Sequence, residues 1–535
     1  MSGPHLRIVC VNDVYSLEQL PRLASLIAHY RAEAPADLLL TTMAGDFVAP
    51  SILSSLDAGL GMVDCLNALP ITHASLGNHE DDIPIAELRA RIAQFRGVWL
   101  STNLLNVDSA LQNSHVLQVP SKEPGVRPVR IGLIGVLMDD PSSYRAPPFG
   151  KAQLLPTNAT AVSAAEHLLR EEGCDVVIPL THQPMEADRE LARLPLLRPF
   201  PVIVGGHEHN PFLEVVSGTH IVKAGIDAEN AVIVDLRWSD PSAAPAVSAT
   251  LVAVASFQED ADMRARVDGH MRAVHALESA TILHLLPGQS LTSVGTRREQ
   301  TSMGSLLTSH LRDALCADAA VFNGGGIRAN RTYQDRFAYG DLKAELPFDN
   351  EVVVAELPGA VLQDAIQSSR SLAPAESGGF LQVDDGVEVD AANRLLRVAG
   401  APFSPERVYR VALVRNLLTG MDHVEPLVTY AAGHPQVIPP EDSGREVKVI
   451  LVEALALRLW AQLGDFNDMD ENHDGELEPS EIAHAVERAT LEPASPITVD
   501  LLLKAILHHG AGIAREEAEA AHRHGLPQGR GVVHE

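Results

Sequence analysis

Five short motifs within the first 210 residues bring together carboxylate, amide and imidazole side chains, each just after a run of aliphatic and β-branched residues. Asn12-Asp13-Val14-Tyr15 follows Leu6–Val11, Gly45-Asp46 follows Leu38–Met43, and Gly77-Asn78-His79-Glu80 follows Ile71–Ser75. Thr181-His182 follows Val176–Leu180, and Gly205-Gly206-His207-Glu208-His209 follows Val202–Val204. Oxygen and imidazole donors in this mixture suit borderline or hard divalent cations such as Zn²⁺, Mn²⁺ or Fe²⁺. A carboxylate such as Asp46 can bridge two ions, and two ions about 4 Å apart can activate a water and stabilise both oxygens of an in-line phosphoryl displacement. One histidine after a strand is ordinarily structural and one Gly-Asp ordinarily a turn. The weight lies in all five motifs standing in order at strand ends.

A second constellation lies near the other end of the chain. Asp470-Glu471-Asn472-His473-Asp474-Gly475-Glu476-Leu477-Glu478-Pro479-Ser480-Glu481 is a twelve-residue loop with Asp470, Asn472 and Asp474 at its first, third and fifth positions. Gly475 permits the sharp bend, Glu476 adds to the ligand set, and Glu481 at the twelfth position can bind bidentately, the spacing that wraps a Ca²⁺. Amphipathic stretches, Val449–Leu463 and Ser480–Ala489, flank it. A second loop further on keeps Ile513 and Glu517 at corresponding places, but Ile506, His508 and Gly510 cannot chelate. It reads as a degenerate partner that binds no metal.

The elements that must position these groups alternate. From residue 6 to about 245, short strand-like runs, including Val98–Ser101 and Val129–Val136, are separated by helical stretches such as Leu17–Arg31, Ile85–Phe95 and Ala159–Glu172. That is an α/β pattern, a sheet with helices on both faces, and in open α/β sheets ligand chemistry gathers outside the carboxyl ends of the strands. A Ser-, Asp-, Pro- and Ala-rich stretch follows around 239–248. The expected organisation is residues 1–245 as a metal-binding α/β domain, 246–282 as linker and bridging helix, 283–445 as a second α/β domain, and 446–535 as a helical tail.

Composition narrows the function. With 46% hydrophobic and 21% charged residues the chain is an ordinary folded protein, and a net charge of −29 argues against a nucleic-acid partner. Four cysteines in 535 residues are no disulfide framework. Met1–Pro4 leads straight into the first strand without a secretory leader, and no apolar run approaches the ~18 residues that span a bilayer, so a cytoplasmic location without membrane contact is expected. The oligomeric state is left open.

The ordered set Asp13, Gly45-Asp46, Gly77-Asn78-His79-Glu80, His182 and Gly206-His207-x-His209 resembles the calcineurin-like metallophosphatases, which implies an α/β sandwich of sheets flanked by helices. Asn323-Gly324-Gly325-Gly326-Ile327-Arg328, Tyr339-Gly340-Asp341 and Pro347-Phe348-Asp349-Asn350 narrow the likeness to the 5′-nucleotidase/UDP-sugar hydrolase family over about residues 5–430. The resemblance implies that one metal takes Asp13, the position of Tyr15, bridging Asp46 and His209, and the other Asp46, Asn78, His182 and His207. It implies that His79 stabilises the transition state with Asp82 as its acidic partner. It also makes Asn323 and Arg328 substrate contacts and Phe348 one wall of a nucleobase slot, with a further phosphate-side arginine at Arg298 or its neighbour Arg297.

Two positions depart from the family pattern. Tyr15 stands where a histidine is usual, so it either binds as phenolate to a strongly acidic metal such as Fe³⁺ or leaves that site one ligand short. Val424 stands where relatives carry a second aromatic wall, which should weaken base selection. The expected function is hydrolysis of nucleoside 5′-monophosphates or related small phosphoesters, using two divalent or mixed-valence ions (Zn, Mn or Fe) and carrying Ca²⁺ in the tail. The alternative is a calcium-responsive binding protein whose phosphatase site has decayed; cleavage of nucleic acid is disfavoured by the acidity.

Overall fold

Strands rich in Val, Ile and Leu, buried on both faces, need helices or a second sheet to cover them, and this chain uses both. The computed structural model describes residues 3–502 apart from 33–35, 123–124, 141–142, 145–147, 151, 286–287, 441–442, 464–465, 474–476, 491–493, 495–497 and 500–501. The chain divides into two units, Met1–Arg272 and Ala273–Glu535.

In the first unit two six-stranded sheets stack. One runs in the order Ala246–Ala253, Asn230–Arg237, His5–Val11, Leu38–Ala44, His73–Ser75, Val98–Leu100, the last four strands being parallel. The other runs Phe212–Val216, Thr219–Lys223, Val202–Gly206, Val176–His182, Val129–Leu137, His115–Val119. Leu6, Ile8, Cys10 and Leu40 from the first meet Ile131, Leu133, Ile178 and Val204 from the second in one core. Each such side chain fully buried contributes roughly 1.5–3 kcal/mol. Thr157–Arg170 and Met185–Arg193 cover the outer face of the second sheet through Ala161, Ala165, Leu168 and Leu191. Both sheets therefore end their parallel strands at one rim, where the ligand loops leave.

One element differs from expectation. The stretch assigned to the start of the linker contains the strand Ala246–Ala253, paired antiparallel along its length with Asn230–Arg237. Its small residues alternate between exposed and half-buried, so an edge strand here resembles a linker in composition. The bridging helix follows as Ala261–Leu277.

The second unit is built on a five-stranded sheet ordered Leu381–Val383, Ala319–Asn323, Val408–Val414, Glu351–Pro358, Arg445–Glu446. Thr301 caps the helix Ser302–Ala314 by accepting from the Gly304 amide, and that helix packs on Ala319–Asn323. The helix Val447–Gln462 is apolar on most sides, with Val449, Ile450, Leu451, Leu455, Leu459 and Trp460 buried, because it packs on Ser302–Ala314 and Thr281–His284. Beyond it the short helices Phe466–Met469 and Pro479–Thr490 pack on each other. Asp474, Gly475 and Glu476 of the twelve-residue loop expected to bind Ca²⁺, and all of 503–535, which includes the loop expected to be its degenerate partner, lie outside the described residues. Among the described residues no helix is long and apolar enough to cross a membrane.

Candidate metal centre

Asp13 follows His5–Val11 and Asp46 follows Leu38–Ala44, and both take left-handed backbone conformations, φ 52° and 53°, that turn their carboxylates inward. Asp13 is tied to the neighbouring loop by its amide to Gly45 O at 3.1 Å. His182 at the end of Val176–His182 approaches from the other sheet. Carboxylate oxygens of Asp13 and Asp46 and an imidazole nitrogen of His182 all lie within 4.8 Å of one another, and all three residues are buried. Glycine is required where these loops cross: a Cβ on Gly45 (φ 80°) would sit 2.3 Å from His182 Nδ1, and one on Gly206 would sit 2.1 Å from Ala44 O.

The imidazoles are oriented for ligation. His182 Nδ1 donates to Ala44 O at 2.8 Å, which leaves Nε2 facing Asp46 Oδ2 at 3.1 Å and Asn78 Oδ1 at 3.2 Å. His207 takes φ 89° and is buried, and its Nδ1 has no hydrogen-bond partner among the described residues. An orphaned buried imidazole nitrogen, on a ring whose centre lies 5.5 Å from that of His182, fits a metal ligand, since no described residue satisfies it. His209 Nε2 lies 4.0 Å from Asp13 Oδ1. The Tyr15 hydroxyl stands among the same groups, 3.2 Å from Asp46 Oδ2, 3.5 Å from Asp13 Oδ1 and 3.4 Å from His209 Nε2. It is therefore placed as a ligand would be.

Electrostatics agree with a site awaiting positive charge. Burial pushes Asp13 up to about 7, with the neighbouring Asp46 charge adding to it. Burial also opposes ionisation of Asp46, but His182 and His79 hold it well below the usual carboxylate range. Burial alone would depress His182; Asp46 and Asp13 outweigh it and raise it to about 9. His207 is held well below its ordinary value by burial, so its ring stays neutral with a lone pair free. A bound cation would take over the proton's part in this cluster.

His79 sits one turn away with its amide donating to Asp46 Oδ1 at 2.8 Å and its Nδ1 2.7 Å from Asp82 Oδ2. Both are nearly buried. The carboxylate fixes the orientation of the ring.

Several supporting residues escaped the sequence reading. Glu80 is fully buried and its carboxylate accepts the amides of Gly77 at 2.6 Å, Asp46 at 3.0 Å, Phe47 at 2.8 Å and Val48 at 3.0 Å. It clamps the Asp46 and Asn78 loops together. Asp227 accepts the amides of Tyr15 at 2.8 Å and Ser16 at 2.9 Å, and Asn12 bridges Asp13 Oδ2 at 2.6 Å and the Ala224 amide at 2.7 Å. For Asn12 and Glu80 the available signal was a polar residue inside a motif; Asp227, 18 positions beyond the last motif, carried none.

In the second unit, Asn323 ends Ala319–Asn323 and donates to Asp422 Oδ2 at 2.6 Å, a partner that sequence reasoning did not name. The Arg328 guanidinium lies 5.7 Å from the centre of the Phe348 ring, which is 48% exposed. Arg298 is half-exposed beside Glu299. Val424 is 1% exposed, so its side chain belongs to the core and forms no wall of a slot; His423, in a left-handed conformation, is the exposed residue of that turn. Phe380 is buried, with the Arg370 guanidinium 4.9 Å from its ring centre. In the tail, Asp470 and Glu481 are buried, and the Glu481 carboxylate accepts the amides of Glu471 at 2.8 Å, Asn472 at 3.1 Å and Glu478 at 3.0 Å.

Residues 6–211 match the calcineurin-like phosphoesterase family and residues 279–429 the 5′-nucleotidase C-terminal domain. The chain is 22% identical over 431 residues to the trifunctional nucleotide phosphoesterase YfkN of Bacillus subtilis, covering 71% of this chain but 28% of that protein. It is 23% identical over 462 residues to the 5′-nucleotidase of Homo sapiens, covering 77% of this chain and 79% of the relative. The NAD nucleotidase of Haemophilus influenzae shares the fold with a TM-score of 0.69 at 15% identity, over 85% of this chain and 96% of that one. A 5′-nucleotidase precursor of Thermus thermophilus does so with a TM-score of 0.52 at 21% identity, over 84% and 95%. With its metallophosphoesterase fold followed by that C-terminal domain, the chain belongs to the 5′-nucleotidase group of the calcineurin-like phosphoesterases.

Proposed function

We propose that this protein is a metal-dependent phosphoric monoester hydrolase acting on nucleoside 5′-monophosphates or related small phosphoesters. The observation that carries the reading is the convergence of Asp13, Asp46 and His182 from two sheets, with the ring of His207, its Nδ1 unpartnered among the described residues, 5.5 Å centre to centre from that of His182. Asp13, Tyr15, Asp46 and His209 would hold one transition-metal ion, and Asp46, Asn78, His182 and His207 a second. When bound, such a pair supplies Lewis acidity and an activated water for phosphoester hydrolysis.

The chain's own residues do the rest. His79, its ring fixed by Asp82, holds negative charge that develops on the phosphoryl oxygens. Glu80 keeps the Asp46 and Asn78 loops from drifting apart. Asn323, Arg328 and Phe348 in the second unit bind substrate, with Arg328 forking onto phosphate and Phe348 stacking a base. The similarity to nucleotide phosphoesterases and 5′-nucleotidases supports a nucleotide as substrate.

The loop Asp470–Glu481 binds one Ca²⁺ in this reading, with Asp474 and Glu476 joining Asp470, Asn472 and Glu481. The inward carboxylate of Glu481, closing the loop backbone, supports it. A panel of nucleoside monophosphates, base-free phosphate esters and oligonucleotides, assayed with added Mn²⁺ or Zn²⁺, tests the activity. Release of phosphate from the small esters is expected; binding without turnover on all of them would favour a decayed site.

A further inference from the structure

Lys223 ends the strand Thr219–Lys223 and is 1% exposed, a place where an ammonium ion is costly unless every proton is used. Here every proton is used. Its Nζ donates to Gln183 O at 2.7 Å, to Gly206 O at 2.8 Å and to the Glu208 carboxylate. An ammonium has three N–H groups, so Asp188 Oδ2 at 2.9 Å is held by charge alone, without a hydrogen bond.

The acceptors are not scattered. Gln183 directly follows His182, Gly206 directly precedes His207, and Glu208 stands between His207 and His209. One point charge thus grips the backbone or side chain next to three imidazoles of the candidate metal centre. Its two carboxylate neighbours extend the grip to the helix Met185–Arg193. Glu208 accepts the Met185 amide at that helix's first turn, and Asp188 within it accepts Gln183 Nε2 at 2.9 Å. The room is matched to the lysine: a Cβ on Gly205 would lie 2.7 Å from Lys223 Cε and 3.0 Å from Asp188 Oδ2.

We propose that Lys223 is a positioning residue of the metal centre, a buried ammonium that sets the spacing between the His182 loop and the His207–His209 loop. This rests on the reading that those histidines bind metal. An ion pair serving stability alone would not need both backbone carbonyls beside the ligands. Groups that orient metal ligands from behind change metal affinity when removed, by about 10- to 100-fold.

Lys223→Met keeps the length and apolar stem and removes the charge. In the folded variant, the dissociation constant for Mn²⁺ and for Zn²⁺, read by competition with a chromophoric chelator, is expected to weaken about 10- to 100-fold. The kcat for p-nitrophenyl phosphate should fall at fixed metal, with KM within about twofold of wild type. If the single variant does not fold, Lys223→Met with Glu208→Gln, which also removes one of the two carboxylates left stranded, carries the same measurement. Wild-type metal affinity in either folded variant would overturn the positioning role and leave the cluster purely structural. Absence of Mn²⁺ and Zn²⁺ binding by the wild-type chain would instead overturn the metal-centre reading itself.

Discussion

Replacing His73 should relieve the protein of an acid sensitivity that its first unit carries. His73, in the strand His73–Ser75, is buried, with Nδ1 3.0 Å from Thr72 Oγ1 and Nε2 2.9 Å from Nδ1 of His115 on His115–Val119. Burial, with the His115 ring adding to it, lowers His73 to about 4 from 6.5. The folded protein therefore holds this ring neutral while the unfolded chain protonates it below its ordinary value. The stability it contributes is complete above that ordinary value and is lost as the pH falls from there towards the folded value. At pH 5 the loss is about 2 kcal/mol, and it approaches about 3 kcal/mol at lower pH. His73→Phe fills a similar volume, leaves His115 with access to water, and forgoes two hydrogen bonds worth about 1 kcal/mol each near neutrality. Urea unfolding of both proteins at about pH 7.5 and pH 5, without added metal, is the assay. Wild type is expected to be the more stable at the higher pH, and the difference should shrink or reverse by about 2 kcal/mol at the lower. A difference independent of pH would show that His73 is not held neutral by this packing.

Other expectations follow from the sites themselves. If Tyr15 binds Fe³⁺ as phenolate, the isolated protein shows a visible charge-transfer band that Tyr15→Phe abolishes; a colourless, fully active protein carrying zinc or manganese excludes the ferric form. With Phe348 as the only ring assigned to the base, the ratio of kcat/KM between a nucleoside monophosphate and ribose 5-phosphate should stay below about 100, and Phe348→Ala should reduce it by roughly 1–3 kcal/mol. A larger ratio that survives Phe348→Ala would place base recognition elsewhere. Calorimetry should find one Ca²⁺ per chain with a dissociation constant of about 10⁻⁷–10⁻⁵ M, lost in Glu481→Gln; two calcium ions would show that the second loop also chelates.

The ligand loops were legible because each chemistry-bearing residue abuts the strand that carries it. Asp13, Asp46, Asn78, His182 and His207 could be placed at one rim from strand order alone. What could not be read was whatever depended on partners distant in sequence. Glu80 is only the last letter of a motif until its carboxylate is seen holding the amides of residues 46–48, more than thirty positions earlier. Lys223 lies in an ordinary strand and shows its meaning only against carbonyls 17 and 40 positions away. Val424 illustrates the opposite error. Alignment by motif put it at a ligand wall, but the left-handed turn of Asp422 and His423 leaves the valine in the core. A ring there would overpack the core rather than rebuild a wall. The edge strand Ala246–Ala253 was missed because half-exposed small residues carry little hydrophobic period.

The most direct measurement is metal stoichiometry with turnover in wild type, Asp46→Ala and His79→Ala, each checked for folding by circular dichroism. Wild type should carry two transition-metal ions per chain and hydrolyse small phosphoesters, and Asp46→Ala should lose both properties while folded. His79→Ala should retain its metal and turn over about 10²–10³ times more slowly. Undiminished metal content and rate in Asp46→Ala would contradict the two-metal centre.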